Sequence, residues 1–122
     1  MLSRLYRAGP WLAVLLVAII SLVPGQLRPH TGLPGPTEHM LAYLLTGFLL
    51  GSRQRGPVAW TMIAVLLSLY AGSLELLQFL VPGRSPAFVD FAASSAGALG
   101  GVLLSTGAYF LFRRRAGTKP AA

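Results

Sequence analysis

The chain has 122 residues, 54% of them hydrophobic and only 11% charged, and it contains no cysteine. A water-soluble domain carries about 25% charged residues, so this composition excludes an ordinary soluble globule, which would expose large apolar patches. The missing cysteines exclude disulfides, thiolate catalysis and cysteine-ligated zinc, and the net charge of +7 does not point to nucleic acid, because the ten Lys and Arg stand in short clusters between apolar runs.

Four apolar runs follow one another, too long and too unalternated for strands, so each reads as a helix. The first helix is expected at about 5–23, around WLAVLLVAIISLV. Arg4 and Arg7 precede it, as basic residues precede a signal peptide, but Ser21-Leu22-Val23 before Pro24 is a poor small-residue cleavage site. An uncleaved helix is therefore expected. Pro24, Gly25, Pro29, Gly32, Pro34, Gly35 and Pro36 break the chain after it. Thr37 is expected to cap the second helix, 36–51, which is short against the roughly 17–25 residues of a membrane span. The polar turn at 52–57 leads into the third helix, 57–81, with Pro57 suited to its first turn. A Pro82-Gly83-Arg84-Ser85-Pro86 turn leads into the fourth, 88–112, and a basic, mobile tail is expected at 113–122. The expected architecture is a single all-α domain over 1–122, a four-helix transmembrane bundle in a lipid bilayer, with the oligomeric state left open.

Charge placement orients the bundle. Arg4, Arg7, Arg53, Arg55, Arg113, Arg114, Arg115 and Lys119 fall on one side of the alternating helices, and only Arg28 and Arg84 on the other. The richer side is cytoplasmic by the positive-inside rule, which puts both termini inside and the protein in the cell membrane as a multi-pass chain.

The rare polar residues then collect outside. His39 and Tyr43 share a face at the start of the second helix, and Glu75 and Gln78 lie near the end of the third. Arg84 is in the following turn. Asp90 and Ser94 share a face at the start of the fourth helix, where Gly97 and Gly101 continue the stripe and would let another helix approach closely. Glu75, some six residues from the expected helix end and roughly 9 Å deep at 1.5 Å per residue, needs a partner, with Arg84 and His39 nearest. A carboxylate inside a span costs about 2.5–3.5 kcal/mol if central and less near the interface. Plainer roles compete. Asp90 suits the positive end of a helix dipole, and Arg84 suits an interfacial arginine. Gln78 and Ser94 suit interhelical hydrogen bonding, and Tyr43, Trp11, Tyr70 and Tyr109 suit an aromatic belt.

The string LYAGSLELLQFLVPGRSPAFVDFAASSAGALGG, with HMLAYLLTGFLLG before it, resembles the signature of VanZ-like membrane proteins. There an E-x-x-Q helix end meets a P-G-R turn and an Asp-led, Gly-rich final helix. The resemblance covers about 38–101, with His39, Tyr43, Glu75, Gln78, Arg84 and Asp90 at the characteristic positions. Gly35 and Pro36 stand where the family often has an Asp-Lys pair, and Ser94 where it often has Asn. The resemblance implies an outward-facing cluster and a link to low-level teicoplanin resistance, in a family whose biochemical activity is not settled. The leading reading is a membrane factor, non-enzymatic or of unassigned activity, that binds a cell-envelope ligand, either a lipid headgroup or a glycopeptide-related molecule. The alternative is an enzyme acting on a lipid-linked substrate, with Glu75 or Asp90 as base, His39 as acid or base, and Arg84 anchoring a phosphate or carboxylate. No nucleophile elbow or phosphate loop supports that alternative. His39, Glu75 and Asp90 could together hold a divalent metal, but no compact ligand motif marks them, so neither a metal nor a cofactor is expected. The inner halves of the helices lack ionisable residues, which argues against a proton path.

Overall fold

Leu-, Ala- and Val-rich runs with no interior breaker other than Pro10 wind into four helices, and the turns fall where Pro and Gly cluster. The structure, a computed structural model, describes residues 1–117: α1 (Leu2–Leu22), a short 3-10 turn (Gly25–Leu27), α2 (Gly35–Gly51), α3 (Pro57–Gln78) and α4 (Phe88–Gly117). No strand occurs among the described residues. α1, α3 and α4 are each long and apolar enough to cross a membrane, over Ser3–Leu22, Pro57–Gln78 and Phe88–Gly117. Their outer faces suit such a solvent, since Leu15, Leu16, Leu66, Leu69, Leu103 and Leu104 are each at least 55% exposed.

The helix ends depart from expectation in ways the local chemistry explains. α1 begins at Leu2 and passes through Pro10. Proline removes its own N–H, and nearby the Arg7 carbonyl accepts a bond from an Arg53 guanidinium Nη at 2.8 Å. α2 starts at Gly35 with Pro34 in the cap position, so Thr37 lies inside the first turn and does not cap. Pro36 presets the helical φ in that turn, which draws the start forward. α3 ends at Gln78, not 81, because Val81 precedes Pro82 and is pushed out of the α region. Phe79, Leu80 and Val81 instead make tighter bonds to the carbonyls three residues back, at 3.3, 3.0 and 3.1 Å. α4 continues through Arg113, Arg114 and Arg115, where a mobile tail was expected. Arginine is a good helix former and is favoured at a helix C-terminus. The rest of that expected tail, 118–122, lies outside the described residues.

α2 and α4 form the tightest pair, running in the same direction with glycines meeting backbone. Gly97 sits against the Met40 carbonyl, and Gly101 against Leu44 and Phe48. From the other side, Gly47 faces the Ala98 carbonyl and Gly51 faces Ser105. The Gly97/Gly101 approach was legible in the sequence, whereas its reciprocal on α2, Gly47 and Gly51, was not. Tyr43, Leu67, Ala71, Leu74 and Ala98 fill the core with Val17. α1 touches α2 and α3 but not α4. It is tied largely by polar bonds to its carbonyls, with the Tyr70 hydroxyl donating to Val14 at 2.8 Å and Gln78 Nε2 to Ser21 at 3.0 Å. Burial of α1 against other helices gains little if the surroundings are lipid, so these bonds fix its place.

Alternation of the helices sorts the charges to two ends. At one end Arg53 stacks over Tyr6 at 4.5 Å and Arg55 over Tyr109 at 4.8 Å. The opposite end holds Arg28, Arg84, both histidines and all three acidic residues.

Candidate functional site

Parallel packing of α2 and α4 brings both helix N-termini to the same end, beside the C-terminus of the antiparallel α3. His39 on α2, Glu75 on α3 and Asp90 on α4 thereby converge, each offering one donor atom within 4.8 Å of the others. Glu75 Oε1 is 3.9 Å from His39 Nδ1, and the same nitrogen is 3.4 Å from Ser94 Oγ. Of the two partners expected for Glu75, His39 is the one its carboxylate faces. Glu75 is only 9% exposed. Its other oxygen, Oε2, accepts the Ala87 N–H at 3.1 Å. That bond satisfies an amide at the entry to α4, where a helix dipole favours negative charge. Because α3 ends at Gln78, Glu75 is three residues from the helix end, about 4.5 Å along the axis and shallower than the sequence suggested. Asp90 Oδ1 is out of reach of solvent and has no hydrogen-bond partner.

A cavity of about 500 Å³ opens beside this group, bordered by Arg28, His30, Glu38, His39, Arg84 and Asp90. Gln78 also borders it. Two of the expected site residues have their donors engaged elsewhere. Arg84 donates from Nε to the Val23 carbonyl at 2.9 Å and from Nη to the Ile20 carbonyl, so its fork closes the C-terminus of α1. Burial and the neighbouring Arg28 cation lower its proton affinity, against the pull of Glu75 and Asp90. Gln78 serves the same helix end through Ser21. Tyr43 is a core residue, 2% exposed, with its ring 6.4 Å from that of Tyr70. It sits one turn below His39 and borders a void of about 40 Å³ beneath the cavity.

Sequence reasoning passed over the other wall. Glu38 pairs with Arg28 and accepts the Thr31 hydroxyl, which folds the 24–34 loop over the cavity mouth. The available signal was an acid in the first turn of α2 facing the single basic residue of a Pro- and Gly-rich loop. A second, apolar groove of about 930 Å³ lies between α3 and α4, bordered by Leu69, Gly72, Phe79, Phe88 and Phe91, and Glu75 also reaches it.

The fold and site together define a helical protein with membrane-length helices and a polar cavity at a bundle end. Comparison with protein-family models, with curated proteins and with solved structures finds no match to this chain.

Proposed function

We propose that this chain is a four-span membrane protein of the VanZ-like kind, with both termini cytoplasmic, whose outward-facing cavity binds the anionic headgroup of a cell-envelope lipid. The observation that carries the reading is the gathering of Glu38, Asp90, both histidines, Arg28 and Arg84 around an open cavity, with Glu75 beside His39, in a chain only 11% charged. Ionisable groups inside or beside spans are costly and mark sites of ligand or ion handling. α2, the shortest helix at 17 residues, acts as the fourth span, since its close contact with α4 shields it from lipid. The excess of Lys and Arg at the opposite end supports the orientation. A lipid is favoured over a soluble ligand because His39 borders the cavity, Glu75 borders the apolar groove between α3 and α4, and the two side chains face each other at 3.9 Å. A headgroup and its chain would occupy the two spaces together.

The same contact favours a second reading, acid–base catalysis on a lipid-linked substrate. An imidazole and a carboxylate 3.9 Å apart stand where head and tail would join, and product release from such a lipid would reveal it.

The first reading is tested with the full chain in neutral phosphatidylcholine nanodiscs, titrated with labelled phosphatidylglycerol, with glycerol phosphate as soluble competitor and teicoplanin as a separate arm. Saturable phosphatidylglycerol binding, displaced by glycerol phosphate and weakened in Arg28→Gln, is expected. Binding of teicoplanin alone would replace the lipid with a glycopeptide, and binding of neither would remove the headgroup role.

A further inference from the structure

We propose that His39, Glu75 and Asp90 hold one divalent transition-metal ion at the inner wall of the cavity. The argument begins with geometry. A metal bonded at about 2.1 Å to nitrogen and carboxylate oxygen holds its donors no more than about 4.2 Å apart. His39 Nδ1 and Glu75 Oε1, at 3.9 Å, already satisfy that limit. The widest separation in the trio, at most 4.8 Å, exceeds it by no more than about 0.6 Å, a gap on the scale of a small side-chain rotation. Three donors on three different helices escape any motif search, because no two are close in sequence.

A second observation is independent of that spacing. Asp90 Oδ1 is inaccessible and unpartnered, and a buried carboxylate oxygen with no donor is strongly disfavoured. The nearby cations do not supply one. Arg84 gives its Nε and one Nη to the carbonyls of Val23 and Ile20, and Arg28 pairs with Glu38. A dication among two carboxylates and a neutral imidazole puts positive charge beside the carboxylate that carries the orphaned oxygen. One imidazole with two carboxylates is a donor set for Zn²⁺ or Mn²⁺, whereas Mg²⁺ and Ca²⁺ take oxygen ligands.

Three protein ligands leave a coordination position open toward the cavity, the arrangement of metal sites that receive an exogenous oxygen. This part rests on the headgroup reading: the open position would take a phosphate oxygen. It explains how a cavity whose guanidinium groups are engaged by the protein still attracts an anion.

The test uses the full chain with a histidine-free tag, stripped with EDTA and titrated with Zn²⁺ in a neutral detergent without lipid phosphate. One ion per chain is expected, with affinity lowered at least about tenfold in Glu75→Gln, Asp90→Asn and His39→Gln. His30→Ala, the other histidine at the cavity, leaves it unchanged. Absence of saturable binding, or wild-type affinity in Asp90→Asn, overturns the site. Co²⁺ added to the unaltered chain gives a reading that needs no variant: intense visible absorption of a four- or five-coordinate ion supports the site, and the weak octahedral spectrum overturns it. Phosphatidylglycerol binding is measured separately with EDTA and with Zn²⁺, so either reading can fail alone. In Zn²⁺, Asp90→Asn weakens headgroup binding if the metal mediates it; strengthening, the result of simply removing a negative charge, overturns the metal's part.

Discussion

Replacing Gly101 by alanine inserts one methyl group between α4 and α2, and its effect follows from what that methyl meets. The added carbon would lie 2.7 Å from the Phe48 amide nitrogen and 3.0 Å from the Leu44 carbonyl carbon, where ordinary contacts begin near 3.4 Å. These are backbone atoms, which cannot swing aside, and the Leu44 carbonyl oxygen lies closer still, so α2 must retreat by more than 0.7 Å, the difference between 3.4 and 2.7 Å. Overpacking of this kind costs about 1–3 kcal/mol. Gly107→Ala is the matched control on the same helix, since nothing lies within 4 Å of its added carbon. Both changes carry the same gain in helix propensity, about 0.5–1 kcal/mol, which cancels between them. The two variants should therefore differ by about 1–3 kcal/mol, with Gly101→Ala the less stable. Reversible unfolding in mixed micelles of rising dodecyl sulfate fraction, followed by circular dichroism, measures that difference. The same retreat carries His39 away from Asp90, so Zn²⁺ affinity falls in Gly101→Ala and holds in Gly107→Ala. Equal stability of the two variants would refute the close glycine contact.

Three further outcomes are expected. Arg84→Ala leaves the Ile20 and Val23 carbonyls at the end of α1 without their charged donor, at about 1.5–3 kcal/mol, and limited proteolysis should cut 24–34 faster. Arg84→Lys does not restore protection, because an ammonium lacks the planar fork. The chain has no native cysteine, so single cysteines at the exposed positions Gln54 and His30 should label from opposite sides of the membrane, His30→Cys from outside; labelling of both from one side removes the four-span topology. Glu75→Gln retains an acceptor for the Ala87 N–H but loses the charge, so unfolding in dodecyl sulfate changes by less than about 1 kcal/mol, while headgroup binding in the presence of Zn²⁺ is lost. A variant that unfolds early marks Glu75 as a helix-end residue and nothing more.

Helix number and order were legible because length and apolar character decide them, and both can be read without a structure. The ends were less legible, because they turn on single residues: Pro82 acts backward on Val81, and Pro36 draws the start of α2 ahead of Thr37. The convergence of His39, Glu75, Asp90 and Ser94 was foreseen from helix direction alone, since alternate helices must return their ends to the same side. The engagement of Arg84 and Gln78 by α1 was not. Nothing local in PGR or in LLQ reveals which carbonyls lie opposite, and the first helix supplies none of the expected site residues. Tyr43 illustrates the complementary limit: sharing a face with His39 placed it correctly along α2, but only packing against Tyr70 and Ala98 makes it core.

The parallel pairing of α2 and α4 explains why the acidic residues gather where they do. Two helices that run together through facing glycines bring two positive dipole ends to the cavity, and each acid uses one. Glu38 stands in the first turn of α2 and Asp90 in the first turn of α4, while Glu75 accepts the amide at the entry to α4. Each such placement is worth about 0.3–1 kcal/mol at an exposed helix end, and more when partly buried. Dipoles alone therefore account for three acids at this end of a basic chain. They do not account for what is left over. Glu38 is engaged by Arg28 and Thr31, but Glu75 turns Oε1 toward the His39 ring, and Asp90 keeps Oδ1 buried with no donor. A helix-end acid needs one oxygen directed at the backbone. The two remaining oxygens, on carboxylates that each place a donor atom within 4.8 Å of the other and of the His39 ring, are the features that a purely structural role leaves without a purpose and that a bound cation explains.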